Sequence, residues 1–162
     1  MKAADIEPVI AAARQARTRA YAPYSRYRVG AALLTRAGRV FTGCNVENAS
    51  YGATICAERS AVAAMVAAGD REPLLCVVVT AGPNPGTPCG ICRQVLAEFA
   101  GDMCFVLVAE DARGQVIARS EATLAGLLPR AFRLRKPEVR RPKAGGARSK
   151  AKGRGRGNVS VR

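Results

Sequence analysis

The sequence predicts a three-layer α/β/α sandwich built on a mixed sheet of about five strands. Three observations lead there. Apolar runs of strand length alternate with helical segments along the chain. An opening hairpin adds antiparallel pairing to the parallel pairing such alternation produces, which makes the sheet mixed. At 162 residues, 49% of them hydrophobic, the chain is long enough to bury a real core as one domain.

Residues 4–20 place Ile6, Val9, Ile10, Ala13, Ala16 and Ala20 at helical spacing, with Arg14, Arg17 and Arg19 elsewhere around the turn. A helix packed through a small-residue face is expected, ended by Tyr21-Ala22-Pro23-Tyr24-Ser25 because Pro23 disfavours helical geometry at Ala22. Residues 29–35 and 40–44 are apolar runs flanking Arg36-Ala37-Gly38-Arg39, where Gly38 is free to take the positive φ of a hairpin turn. A polar loop, residues 45–52, follows. Residues 56–68 are alanine-rich and helical, and Gly69 closes them as the residue favoured just past a helix end. Residues 74–80 form a buried strand and 81–86 a loop. Thr87 is the natural N-cap of a second such helix, from Pro88 to about Phe99. Residues 104–109 are another buried strand, 111–114 a turn, 115–118 a shorter strand, and 121–128 a short helix stopped by Pro129.

The net charge of +14 suits a nucleic-acid binder, but its distribution divides the chain in two. Residues 1–132 carry 14 basic against 11 acidic side chains, whereas residues 133–162 carry 12 against Glu138 alone. From about Lys136 the sequence is rich in glycine and like charge and too poor in apolar residues to hold a core. Disorder is expected there. The expected division is therefore a globular domain, residues 1–132, and a basic C-terminal tail, residues 133–162. The tail reads as a solvated extension or, more sharply, as a sequence-blind handle for nucleic acid or another polyanion. No apolar run approaches the roughly 18–20 residues that span a bilayer. Lys2, Asp5 and Glu7 interrupt the stretch a signal peptide needs. A cytoplasmic protein without a membrane partner is expected.

In such a compartment six cysteines are thiols or metal ligands rather than disulfides. Cys76 and Cys104 sit in strand-like apolar runs and read as small buried hydrophobes. Cys89-Gly90-Ile91-Cys92 places two thiols on one face of a helix start, where free N–H groups and the helix dipole favour thiolates. Alone, that pair fits a redox dithiol or half a zinc ribbon equally well. A ribbon needs a second Cys-x-x-Cys, which the chain lacks, and there is no histidine to substitute. Cys56, at another helix start, supplies a third thiolate. Three protein ligands and an open fourth position form the arrangement in which zinc activates water. Cys44 ends a strand-like run and reads as a buried apolar residue rather than a fourth ligand. Glu58 follows Cys56 by two and can face the water from the irregular first turn, as a proton carrier rather than a ligand. Arg59 comes round to the thiolate side, where its charge would offset theirs.

Cys-Ala-Glu-Arg at 56–59, followed by Pro-Cys-Gly-Ile-Cys-Arg-Gln-Val at 88–95, resembles the cytidine deaminases, in their small homotetrameric three-cysteine branch. The resemblance runs from about Tyr21 to Phe132, through Tyr-Ala-Pro-Tyr-Ser, Gly-Cys-Asn-Val-Glu-Asn-Ala-Ser-Tyr-Gly and Leu-Leu-Pro-Arg-Ala-Phe. It implies one Zn2+ per subunit on Cys56, Cys89 and Cys92, with Glu58 as the acid/base of zinc deaminases as a class. It implies that Asn45 and Glu47 hold the ribose hydroxyls and that the Ala57 backbone contacts the base. Tyr27 stands where the family usually stacks a Phe on the pyrimidine, and its hydroxyl needs a partner. Phe132 matches an aromatic that reaches a neighbouring subunit's site; otherwise it is a core anchor. Arg26 and Arg28 beside Tyr27, and the long basic tail, depart from the pattern.

The activity implied is zinc-dependent hydrolytic deamination of cytidine and deoxycytidine to uridine and deoxyuridine, releasing ammonia, as in pyrimidine salvage. Two alternatives stand beside it. One is deamination of another cytosine nucleoside such as blasticidin S. The other is a nucleic-acid-binding module with structural zinc, working through its tail.

Overall fold

The computed structural model describes residues 6–134. The expected basic tail lies outside the described residues except for its first two positions. Five strands and four helices follow one another as α1 (Glu7–Thr18), β1 (Val29–Thr35), β2 (Val40–Cys44), α2 (Ala57–Ala67), β3 (Pro73–Ala81), α3 (Gly90–Ala97), β4 (Cys104–Glu110), β5 (Val116–Thr123) and α4 (Leu124–Leu127). The strands form one sheet in the order β2-β1-β3-β4-β5. Only β3 and β4 run parallel; every other neighbouring pair is antiparallel. The mixed five-stranded α/β sheet predicted from sequence is the observed one.

Strand alternation divides the core between the two faces of the sheet. Leu75, Val77, Val79, Val106 and Val108 pack with Val9, Ile10 and Ala13 of α1. Cys76, Val78, Phe105 and Leu107 pack with Ala61, Val62 and Met65 of α2 and Leu96 of α3. Parallel register keeps like with like across the centre, Val77 opposite Val106 and Val78 opposite Leu107. Two glycines let helices approach the hairpin from opposite sides. A Cβ on Gly30 would lie 2.0 Å from the Ala13 carbonyl oxygen of α1, and one on Gly43 would lie 2.4 Å from the Ala57 carbonyl oxygen of α2. A buried carboxylate, Glu110 at the end of β4, fastens α1 from the other direction. Arg14 Nε donates to it, and Arg17 Nη2 stands 3.0 Å from its second oxygen.

Several expectations are corrected. Helix α1 stops at Thr18, short of the reach of Pro23, with the Arg19 N–H closing onto Ala16. Helix α3 starts two residues later than expected. The backbone at Cys89 is extended (ψ 166°), so Cys89 and not Thr87 is the N-cap, and Pro88 lies outside the helix. Cys104 is exposed. It opens on the α1 side of the sheet, in a groove it shares with Ile6, Arg119 and Glu121, where no helix covers the start of β4. Strand β5 runs eight residues, because it pairs along the whole of β4; its polar Arg119, Ser120 and Glu121 hid that length from a hydrophobicity reading. The last helix shrinks to one turn, where the Thr123 hydroxyl accepts from the Gly126 N–H at 3.1 Å.

The seat of α1 gives a test. Gly30→Ala forces α1 away from β1 and is expected to cost roughly 1–3 kcal/mol, the usual range for overpacking. A denaturant titration that finds no loss would mean that α1 does not sit against β1 as described.

Candidate active site

Helices α2 and α3 begin side by side, and each begins with a cysteine. Cys56 caps α2 and Cys89 caps α3, both in extended backbone, while Cys92 lies one turn into α3. The Sγ atoms of Cys56 and Cys89 are 3.7 Å apart and those of Cys89 and Cys92 3.5 Å. All three lie within 4.8 Å of one another. A tetrahedral zinc with Zn–S bonds of about 2.3 Å separates its sulfurs by roughly 3.8 Å, so the donor set fits that ion. Cys44 stands outside this group.

The cap position also removes a geometric difficulty. On a regular helix Glu58 would point away from Cys56, but Cys56 precedes the first helical residue, and both line one cavity of about 270 Å³. That volume is just below the roughly 300 Å³ at which ordinary ligand pockets begin. Glu58 is only 4% exposed. Burial pushes its carboxyl above the usual carboxylate range, and the charge of Cys56 adds to the effect. The Cys92 thiol, hydrogen-bonded to Cys56, holds the Cys56 thiol down at about 5, with Cys89 and Arg59 contributing against burial. Cys92 is pushed up in return by that contact and by burial. Arg59 is held beside the sulfurs by a 2.6 Å hydrogen bond from its Nη2 to the Thr54 carbonyl.

Tyr27, Asn45, Glu47 and Ala57 also line this cavity, so the structure brings together all but one of the substrate-side candidates. The side chains of Asn45 and Glu47 are engaged within the protein as well. Asn45 accepts from the Val29 N–H and donates to the Tyr27 carbonyl, both at 2.9 Å. Glu47 accepts from the Tyr24 and Ser25 N–H groups at 2.8 and 3.3 Å and from the Ser25 hydroxyl. The Ser25 hydroxyl, with those amides, holds the Glu47 carboxyl below its usual range. Together they pin the 24–29 segment, in which Arg26 takes the rare left-handed conformation (φ 58°).

Phe132 is the exception. It is 68% exposed and is absent from the cavity wall, so it is not a core anchor either. The Gln94 amide grips its main chain, donating to the carbonyl at 2.7 Å and accepting from the N–H at 3.2 Å. Sequence reasoning missed Ser25, Thr80 and Gly86 in the cavity wall. Thr80 carried a signal: it is the polar residue ending an apolar strand, and ligands gather at the carboxyl ends of parallel strands.

Comparison with known proteins converges on one family. The model of the cytidine and deoxycytidylate deaminase zinc-binding region matches residues 4–108. A cytidine deaminase of Sporosarcina psychrophila is 45% identical over 129 residues, which span 79% of this chain and 91% of that one. The crystal structure of a cytidine deaminase from Burkholderia pseudomallei superposes with a TM-score of 0.70 at 45% identity, covering 82% of this chain and 100% of that one. A blasticidin-S deaminase of Bacillus cereus is more distant, 27% identical over 114 residues, 65% of this chain and 76% of that one.

Cys92→Ala removes the buried sulfur of the three. Metal analysis of the purified variant is expected to find well under half the zinc of the parent chain; full retention would remove Cys92 from the ligand set.

Proposed function

The chain belongs to the cytidine and deoxycytidylate deaminase family, and from that premise we propose that it hydrolyses cytidine and deoxycytidine to uridine and deoxyuridine, releasing ammonia. It is a hydrolytic, zinc-dependent deaminase. The observation that carries the assignment of roles is a buried carboxylate, Glu58, in one cavity with Cys56 and Cys89, whose sulfurs converge with that of Cys92. Cys56, Cys89 and Cys92 would hold the ion, which when bound would act as a Lewis acid and lower the pKa of water.

The remaining chemistry falls to the chain's own residues. Glu58 takes a proton from the attacking water and delivers it to the amine leaving C4; its raised proton affinity suits a group that must hold the proton between those steps. Arg59 offsets the surplus negative charge of three thiolates and so preserves the electrophilicity of the centre. Tyr27 forms a wall for the pyrimidine, and Ala57, which also lines the cavity, is assigned a backbone contact to the base. Asn45 keeps one amide hydrogen and Glu47 one acceptor position for ribose hydroxyls after their internal bonds are counted.

A homotetramer is part of the same reading. Support comes from Tyr27, Tyr51 and Phe132, which leave aromatic surface exposed in one chain. We assign the protein to pyrimidine salvage in the cytoplasm, in keeping with six unpaired cysteines. No helix among the described residues is long and apolar enough to cross a membrane. Residues 1–132 are the catalytic domain in this reading and residues 133–162 an accessory basic tail. The blasticidin-S alternative rests on a much weaker likeness. The nucleic-acid module leaves Glu58 and its cavity without a task.

Two measurements test the reading. Glu58→Gln is expected to keep its zinc and to lose roughly 10²–10⁴ in kcat on cytidine, the usual weight of general acid/base help; retained turnover would sink the role of Glu58. A chain ending at residue 135 is expected to match the full chain in a spectrophotometric cytidine assay. Any polyanion binding that disappears with the tail should fall steeply with salt. Lost turnover on truncation would contradict an accessory tail.

A further inference from the structure

Gly86 stands three residues before Cys89, in the loop that delivers α3 to the sulfur cluster. Its backbone does not call for glycine. Positive φ among the glycines described falls at Gly38, Gly69, Gly82 and Gly114, not here. Space does call for it. A Cβ at Gly86 would lie 2.7 Å from the Tyr27 hydroxyl oxygen and 2.8 Å from Thr80 Cγ2. The Gly86 N–H donates to Thr80 Oγ1 at 3.1 Å, and Thr80 is 1% exposed at the end of β3. On the other side Tyr27, 44% exposed, is held at its main chain and yields by swinging its ring. Its N–H donates to Ser25 Oγ at 3.0 Å and its carbonyl accepts from Asn45 Nδ2 at 2.9 Å.

We propose that Gly86 is a positioning residue for substrate recognition. Its missing side chain forms the notch that seats the Tyr27 phenol, so that the aromatic wall of the cavity and the loop carrying Cys89 are set as one unit. The proposal rests on the reading above in which Tyr27 faces the pyrimidine. It answers where the extra hydroxyl of a tyrosine goes at this position: over the bare Cα of Gly86, between the two loops that build the cavity. A methyl group at 86 displaces the ring, and displacement of a binding wall by a fraction of an ångström to an ångström weakens substrate binding more than it disturbs the metal.

The test is a rescue. Full-length Gly86→Ala is expected to raise KM for cytidine roughly tenfold or more with a smaller change in kcat and unchanged zinc content. Tyr27→Phe alone is measured alongside and supplies the reference KM. Added to Gly86→Ala, it should lower KM at least threefold from that of Gly86→Ala, because the clashing oxygen is gone while the contact with Thr80 Cγ2 remains. Melting midpoints should follow the same order, with Tyr27→Phe recovering part of the loss. An unchanged KM in Gly86→Ala would overturn the proposal. So would rescue by Thr80→Ser, which trims the other clashing atom, with no rescue by Tyr27→Phe. If the parent chain fails to deaminate cytidine, the functional reading falls instead. The midpoints then decide the notch: no relief of Gly86→Ala by Tyr27→Phe overturns it.

Discussion

Cys56 and Cys89 each occupy the cap of a helix, and the two helix starts lie close enough that their sulfurs stand 3.7 Å apart. That contact sets the rest. Three sulfurs at this spacing repel one another as anions unless a cation binds them, and helix N-termini, with Arg59 alongside, are the positive features that keep the cluster tolerable before it does. The same cap geometry turns Glu58 into the cavity. A carboxylate two residues past a ligand can reach the reacting atoms only because the ligand lies outside the helix proper.

The cavity wall opposite the sulfurs has a different origin. Asn45 and Glu47 follow β2, and their polar side chains bind the main chain of residues 24–29. The strain at Arg26 is held in place by those bonds. Groups that orient a ligand here also orient the wall against which the ligand rests. Replacing either residue therefore removes a contact and loosens a surface at once, and its effect on binding cannot be divided between the two.

Much of this was legible in the sequence because it rests on local pattern. Strands β1 to β4 announced themselves as apolar runs, and the hairpin by Gly38. Cys56, Glu58, Cys89 and Cys92 could be grouped from spacing and from the absence of histidine. What could not be read depends on approach in space. Thr87 resembled a cap more than Cys89 did, because cysteine is not a common capping residue and its task here is to present sulfur. Strand β5 is largely exposed and polar from Arg119 to Glu121, so its pairing with β4 left little trace in hydrophobicity. Cys104 looked buried because its neighbours are; on its side of the sheet the start of β4 is uncovered. Gly86 lies in a loop full of Gly and Pro, where nothing local separates a glycine needed for its backbone from one needed for its emptiness.

The pairing of α1 with Glu110 also says something about the order in which the molecule assembles. Arg14 and Glu110 are 96 residues apart in sequence. Closing so long a loop early carries a large entropic penalty, and Glu110 takes its position only once β4 has paired beside β3. The hairpin and the helices that follow their strands can form from nearby contacts, while the ion pair must wait for the sheet. Helix α1 can thus dock on the neighbouring hairpin early, while its ion pair with Glu110 is among the last contacts to form. Before β4 pairs beside β3, the β3 edge that receives it is unpaired, the kind of edge through which a chain of this topology associates with its neighbours.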